Sequence, residues 1–204
     1  HTAFFACYGL SDAILNVNTT LAKVVMDASY PGVLHLGAQT LTLTQELTVA
    51  TAGQLDAGTG TVVLGTGSST ITVNCPAALN DLLLNCGTLK LGQHLNVSDN
   101  LTLTGISSTN ATSNVEIRVA GNVTNNDANG WYKPSGSNTV FVSLVGTADQ
   151  TLDGAGAYGW LNIAKAGGNV LMNNTVSVAY GLNGTAGANM LNAGGGLKLG
   201  ISSS

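Results

Sequence analysis

From about Val33 onward the chain is a succession of short apolar-alternating segments, each closed by Gly, Asn or Asp. They are VLHL (33–36), TLTLT (40–44), LTVA (47–50), TVVL (61–64), TITVN (70–74), DLLLN (81–85), TLKL (88–91), LNV (95–97) and NLTLT (100–104). After a break come VEIRV (115–119), NVT (122–124), TVFVSL (139–144), QTL (150–152), WLNI (160–163), NVLM (169–172) and TVSV (175–178). Alternation over a few residues, β-branched content and flanking turn formers read as strand, turn, strand at close spacing.

Many of these segments are too short to be hairpin arms of a sandwich. They suit a solenoid, in which each coil lends two or three short strands to parallel sheets and the turns fall at corners. Stacking places like residues in ladders, which accounts for the excess of Thr and Asn. Gly and Asn tolerate the left-handed backbone of sharp corners. The expected fold is therefore all-β, a β-solenoid (parallel β-helix) over residues 33–204, preceded by a short cap or subunit-docking segment, 1–32. A 204-residue chain fits one such domain.

An internal repeat supports this reading. The stretch from Gly58 through Gly105 aligns with the stretch from Gly136 through Gly184 at an offset of about 78–79 residues. Val62 falls on Val140, and Leu82 on Trp160 or Leu161. That length corresponds to about three coils, so the chain holds two superunits and begins a third at LNAGGGLKLG.

At these residues the chain resembles the Gly/Thr/Asn-rich β-solenoid repeats of bacterial adhesin-like surface and exported proteins. The pieces that carry the resemblance are Asp56 to Leu64, Gln150 to Gly154 and Leu161 to Ile163, and it extends over roughly residues 33–200. It implies a β-solenoid and a surface role, and brings no catalytic residues with it.

Only 8% of residues are charged, against about 25% in an ordinary soluble domain. With six Lys and Arg and a net charge of −4 there is no basic patch to bind nucleic acid. No apolar run approaches the roughly 20 residues of a membrane-spanning helix. The first residue is His1 rather than Met, which suggests a fragment or a processed chain, with removal of a secretory signal the commonest processing. Together with the neutral polar surface this points to an extracellular or cell-surface setting. Sequons begin at Asn18, Asn96, Asn100, Asn110, Asn122, Asn173 and Asn183. Of the three cysteines, Cys75 and Cys86 end similar strands on either side of the corner PAALND. Two readings stay open: a disulfide across the corner, or two buried thiols. Cys7 is left over.

Residues 1–32 differ in texture. Ile14, Val17, Leu21, Val24 or Val25 and Ala28 lie at helical spacing behind Ser11 as N-cap. A strand with Leu15, Val17, Leu21 and Val25 on one face is the alternative; the spacing slightly favours the helix. FFACY is unusually apolar and calls for burial, either as a cap on this chain or against a neighbouring copy. In the second case Phe4, Phe5, Tyr8 and Leu10 are the docking residues.

Little in the sequence resembles a reaction centre. Asp149 and Asp153 flank QTL and could form a carboxylate pair, but read better as turn formers. His1, His35 and His94 show no metal-ligand spacing. Asn125, Asp127 and Asn129 before Gly130 echo a calcium loop, yet Gly136 stands where the bidentate Glu belongs. Trp131 and Tyr132 in that loop are a candidate contact for a neighbour or a glycan. Evenly repeated Thr arrays, as ice binding needs, are lacking. The expectation is a non-enzymatic structural subunit of an extracellular fibre, without cofactor or metal, whose partners are copies of itself, with glycans as a second candidate class. A phage fibre or virion decoration protein, and a surface adhesin or carbohydrate-active solenoid enzyme, are the alternatives.

Overall fold

The computed structural model describes residues 1–6, 11–127, 138–184, 189–192 and 194–199. In chain order the strands are β1 (Thr2–Phe5), β2 (Ala13–Ile14), β3 (Thr19–Met26), β4 (Leu34–His35), β5 (Thr40–Val49), β6 (Leu55–Asp56) and β7 (Thr61–Asn74). They continue as β8 (Ala78–Leu79), β9 (Asp81–Leu91), β10 (Leu95–Val97), β11 (Leu101–Leu103), β12 (Ser108–Ala111), β13 (Val115–Val119) and β14 (Val123–Asn125). The last are β15 (Val140–Leu144), β16 (Gln150–Asp153), β17 (Ala157–Ile163), β18 (Asn169–Met172), β19 (Thr175–Gly184), β20 (Asn189–Asn192) and β21 (Gly196–Leu199). Apart from one 3-10 turn at Ala52–Gln54, no helix occurs among the described residues. None is therefore long and apolar enough to cross a membrane.

The strands wind into a β-solenoid of about eight turns. One 11-stranded sheet runs β1-β3-β5-β7-β9-β11-β14-β16-β18-β20, with β12 also on β9; a 7-stranded sheet runs β21-β19-β17-β15-β13-β10-β8, and a 3-stranded one β2-β4-β6. Every pairing is parallel, between one turn and the next. Each full turn has three arms. The first and second arms are the two halves of the long bent strands β3, β5, β7 and β9, separated by a register shift such as that between Leu43 and Glu46. The third arm is β4, β6, β8, β10, β13 or β15, or the second half of β17 or β19.

Alternation supplies the core. In the first arm Leu43, Leu64, Leu84 and Leu103 stand in register and are all fully buried. In the third arm Leu95, Ile117, Val142 and Leu161 do the same. Outward positions carry Thr, Asn and Lys. Corners are drawn tight where backbone meets backbone. Gly65 has φ +93, and a Cβ there would run into the Asn85 carbonyl oxygen, so only glycine fits.

Asn and Asp side chains tie successive turns together at the entry to the first arm. Each offers its Oδ1 to a backbone N–H one turn on: Asn18 to Thr40 (2.8 Å), Asp81 to Asn100 (3.0 Å), Asn100 to Asn122 (3.2 Å) and Asn122 to Thr151 (2.8 Å). Asp149 serves Asn169 in the same way at 2.7 Å. Corner N–H groups that the sheets cannot reach are thus satisfied.

Two expectations change. Residues 11–28 are not helical: β2 and β3 occupy them, and β1 and β3 belong to the same sheet as β5. The inward residues of β3 are Leu21, Val24 and Met26, with a register shift between Leu21 and Lys23. That shift converts a spacing of two into a spacing of three at the corner, which imitates a helical period. Val17, expected inside on either reading, is 60% exposed. Second, the offset of the internal repeat does not relate equivalent positions of the coil. Thr19, Leu41, Val62, Leu82 and Leu101 are successive partners in the first arm, each one turn beyond the last. A turn thus takes roughly 20 residues, at the short end for a solenoid repeat. Val62 lies in the 11-stranded sheet and Val140 in the 7-stranded one. All arms bury the same alternating aliphatic pattern, so a match by pattern alone pairs one face with another.

Candidate functional site

The two ends of the stack are where the described structure leaves its core incompletely covered. In β21, Leu197 and Leu199 pair with Val176 and Val178 of β19, which are buried. They therefore continue the inward columns, and among the described residues no further turn covers them; they are 39% and 61% exposed. At the opposite end β1 is an edge strand that, among the described residues, pairs with β3 alone. Its inward residues Ala3 and Phe5, with Ala13 and Leu15 after them, are partly buried against the core. Phe5 packs on Tyr30 with ring centroids 5.2 Å apart, and the Tyr30 hydroxyl donates to the Ser11 carbonyl at 2.9 Å. Phe4 points outward and is exposed, as is Ile14 in β2.

Of the expected docking residues, then, Phe5 is an inward residue of the first turn and Phe4 a surface one. Tyr8 and Leu10 lie outside the described residues, as do Trp131, Tyr132, Asn129 and Gly130 of the candidate contact loop. Cys75 and Cys86 are free thiols, both buried in the core. Of the two open readings the structure has the second. Cys86 aligns with Gly67 inside the sheet, whereas Cys75 follows the end of β7, its Sγ 3.7 Å from the Ala77 carbonyl oxygen. Burial pushes both thiols up to about 12. Cys7 is not among the described residues.

The acidic and amide groups weighed in the sequence act within the backbone scaffold. Asp149 and Asp153 bind Asn169 and the Gly154 N–H at corners. Asn125 occupies the fully buried column above Leu103 and donates to the Ala157 carbonyl at 3.1 Å. Its Oδ1 accepts from the Asp127 N–H at 3.0 Å, and Asp127 accepts from the Ile106 N–H at 2.8 Å. Both side chains thus face the interior. Among the described residues no cluster of His, Cys, Asp or Glu could hold a metal ion.

A second buried network, unforeseen in the sequence, bridges the third and first arms. Gln150 accepts from the Gly146 N–H (3.0 Å) and donates to the carbonyls of Val119 (3.0 Å) and Gly121. Lys165 donates to the carbonyls of Gly146 (3.0 Å) and Ala148 (2.8 Å) and to Gln150 Oε1 (2.6 Å). Desolvation holds this ammonium below the usual lysine range. Its partners are corner carbonyls that the sheets leave unpaired, so it serves as an internal strut.

On the outer surface His35 lies between two carboxylates from neighbouring turns, Nδ1 2.9 Å from Asp56 and Nε2 3.5 Å from Asp12. The hydrogen bond with Asp56 raises its pKa, and Asp56 is lowered in return. Further along, Glu116 accepts from Arg118 Nε (2.5 Å) and Asn162 Nδ2 (3.2 Å). Burial pushes Glu116 up, but Arg118 and Asn162 outweigh it and the carboxyl is held low. The carboxylates around His35 come from the turns before and after it, a spacing that carries meaning only once the length of a turn is known.

No protein-family model, curated protein or solved structure matches the chain.

Proposed function

We propose that the protein is a structural subunit of an extracellular or cell-surface fibre, in which copies associate end to end by continuing one another's β-stack. The observation that carries the reading is the pair Leu197 and Leu199, which lie in the columns of buried Val176 and Val178 yet stand exposed. A following turn would cover them. At the other end the partly covered Phe5 and Ala3 and the edge of β1 left unpaired among the described residues present the complementary surface.

Strands β21 and β1 both form the second arm of their turns, so a copy in the same orientation brings their free edges together with parallel polarity. Such a contact is head to tail, and repeated it yields a filament rather than a closed dimer. Its cohesion combines backbone hydrogen bonds between edges with aliphatic layering. The low charge, the neutral polar surface and the resemblance to adhesin-like repeats favour an exported setting.

Electron microscopy of uncrosslinked native material over a dilution series tests the proposal. The expected result is filaments with an axial repeat of roughly 40 Å, about eight turns at about 4.8 Å each. Leu199→Asp should abolish them while leaving the monomer's circular dichroism unchanged. Discrete monomers or trimers at every concentration would overturn the reading.

A further inference from the structure

The outer face of the third arm carries a strip of aromatic rings beside a strip of planar polar groups. In β13 and β15, Glu116 aligns with Phe141. Val142 aligns with Leu161 between β15 and β17, which sets Phe141 beside Trp160. Trp160 in turn aligns with Gly181, next to Tyr180 in β19. The rings follow one another across three turns: Phe141 to Trp160 with centroids 5.7 Å apart and planes 56° apart, then Trp160 to Tyr180 at 6.2 Å and 31°.

Gly181 makes this possible. A Cβ there would collide with Cζ3 of Trp160, so the indole lies over the bare backbone and reaches towards Tyr180. Tyr180 is 55% exposed, and Phe141 and Trp160 are partly exposed. Two positions further along each strand, on the same side of the sheet, runs the column Arg118, Ser143, Asn162, Asn183, in which Ser143 is fully buried and Arg118, Asn162 and Asn183 reach solvent. Glu116 joins the two strips, since its carboxylate is held by Arg118 and Asn162.

We infer that this strip binds an extended polysaccharide chain, lying along the stacking axis with its sugar rings against Phe141, Trp160 and Tyr180. A pyranose presents a face of C–H groups and an edge of hydroxyls. Aromatic side chains offer the first a broad, stiff apolar surface at little entropic cost. Carboxylate, guanidinium and amide groups offer the second paired donors and acceptors in one plane. A protein partner would call for a patch whose centre excludes charge, whereas here a carboxylate–guanidinium pair abuts the rings. Successive turns repeat at about 4.8 Å, so the surface has the translational order of a chain molecule rather than the concavity of a small-ligand pocket.

The chain contains two tryptophans, so Trp131→Phe leaves Trp160 as the sole indole reporter. That variant is titrated with cellohexaose, xylohexaose and chitohexaose, and with glucose and N-acetylglucosamine as single units. The expected result is a saturable change in Trp160 emission with at least one hexasaccharide, about tenfold tighter than with its monomer. Tyr180→Ala should weaken binding about tenfold, and Glu116→Gln should weaken it with the melting temperature unchanged. Absence of saturable binding to all three hexasaccharides would overturn the inference. So would binding by the unsubstituted protein, read by isothermal titration calorimetry, that Trp131→Phe removes, which would place the glycan at Trp131, or binding that Tyr180→Ala and Glu116→Gln both leave intact.

Discussion

Leu84→Ala tests the core argument where it is most quantitative. Leu84 is fully buried and lies in register between Leu64 and Leu103, themselves fully buried. Removing three buried carbons costs about 2.4 kcal/mol at about 0.8 kcal/mol per methylene. The residual cavity adds to this by an amount that depends on how far the neighbours can close in. Here they are held apart by the parallel ladder, whose spacing the backbone hydrogen bonds set, so the site collapses poorly. The total should fall near the upper part of the range for buried Leu→Ala, about 3–4 kcal/mol. For a chain of this size that is a drop in Tm of roughly 6–16 °C. Leu199→Ala makes the same chemical change at an exposed position and should cost about 0.5 kcal/mol or less in dilute monomer. Thermal and guanidinium unfolding followed by circular dichroism, at one low concentration, gives both values. A cost below about 1.5 kcal/mol for Leu84→Ala, or equal costs at the two positions, would refute the picture of a stack whose layers are held in fixed register.

Two further outcomes are expected. His35 has a folded pKa above its ordinary value of 6.5, through Asp56 first and Asp12 second. Its contribution to stability is therefore fully present below about pH 6.5 and is lost as pH rises through the raised folded pKa. Asp56, held low, loses its share only as pH falls through the carboxylate range. An NMR titration should place the His35 imidazole above 6.5, and Asp56→Asn should bring it down; an unshifted His35 signal in the native protein contradicts the contact. Cys75 and Cys86, pushed up to about 12 and buried, should resist a thiol-specific reagent at about pH 8 in the folded protein and react in denaturant without prior reduction. A pair that reacts only after reduction would mean a disulfide.

Much of this architecture is written locally. Segments such as TLTLT and VEIRV alternate with the strand period, and Gly and Asn between them mark the corners, so the all-β solenoid follows from pattern and turn chemistry alone. The N-terminal stretch was harder to read because a solenoid corner inserts a third residue between inward positions. Leu21, Val24 and Met26 consequently resemble a helix face.

What tertiary structure alone decides is which residues from different turns meet. Phe141, Trp160 and Tyr180 each lie one turn beyond the last, and so do Asp12, His35 and Asp56. Each set becomes a cluster only when the length of every turn is known, and that length varies with the corners. The step from Val123 to Leu152 spends more chain than the step from Leu101 to Val123, although both advance the stack by one level. The internal repeat misleads for the same reason: alternation records that a residue faces inward, but not which arm it belongs to. The struts Gln150 and Lys165 carry no local signature either, because the carbonyls they satisfy come from corners of other turns. Periodicity is set by the chain's own next-nearest neighbours, whereas register is set by the closing of each turn against the one before it.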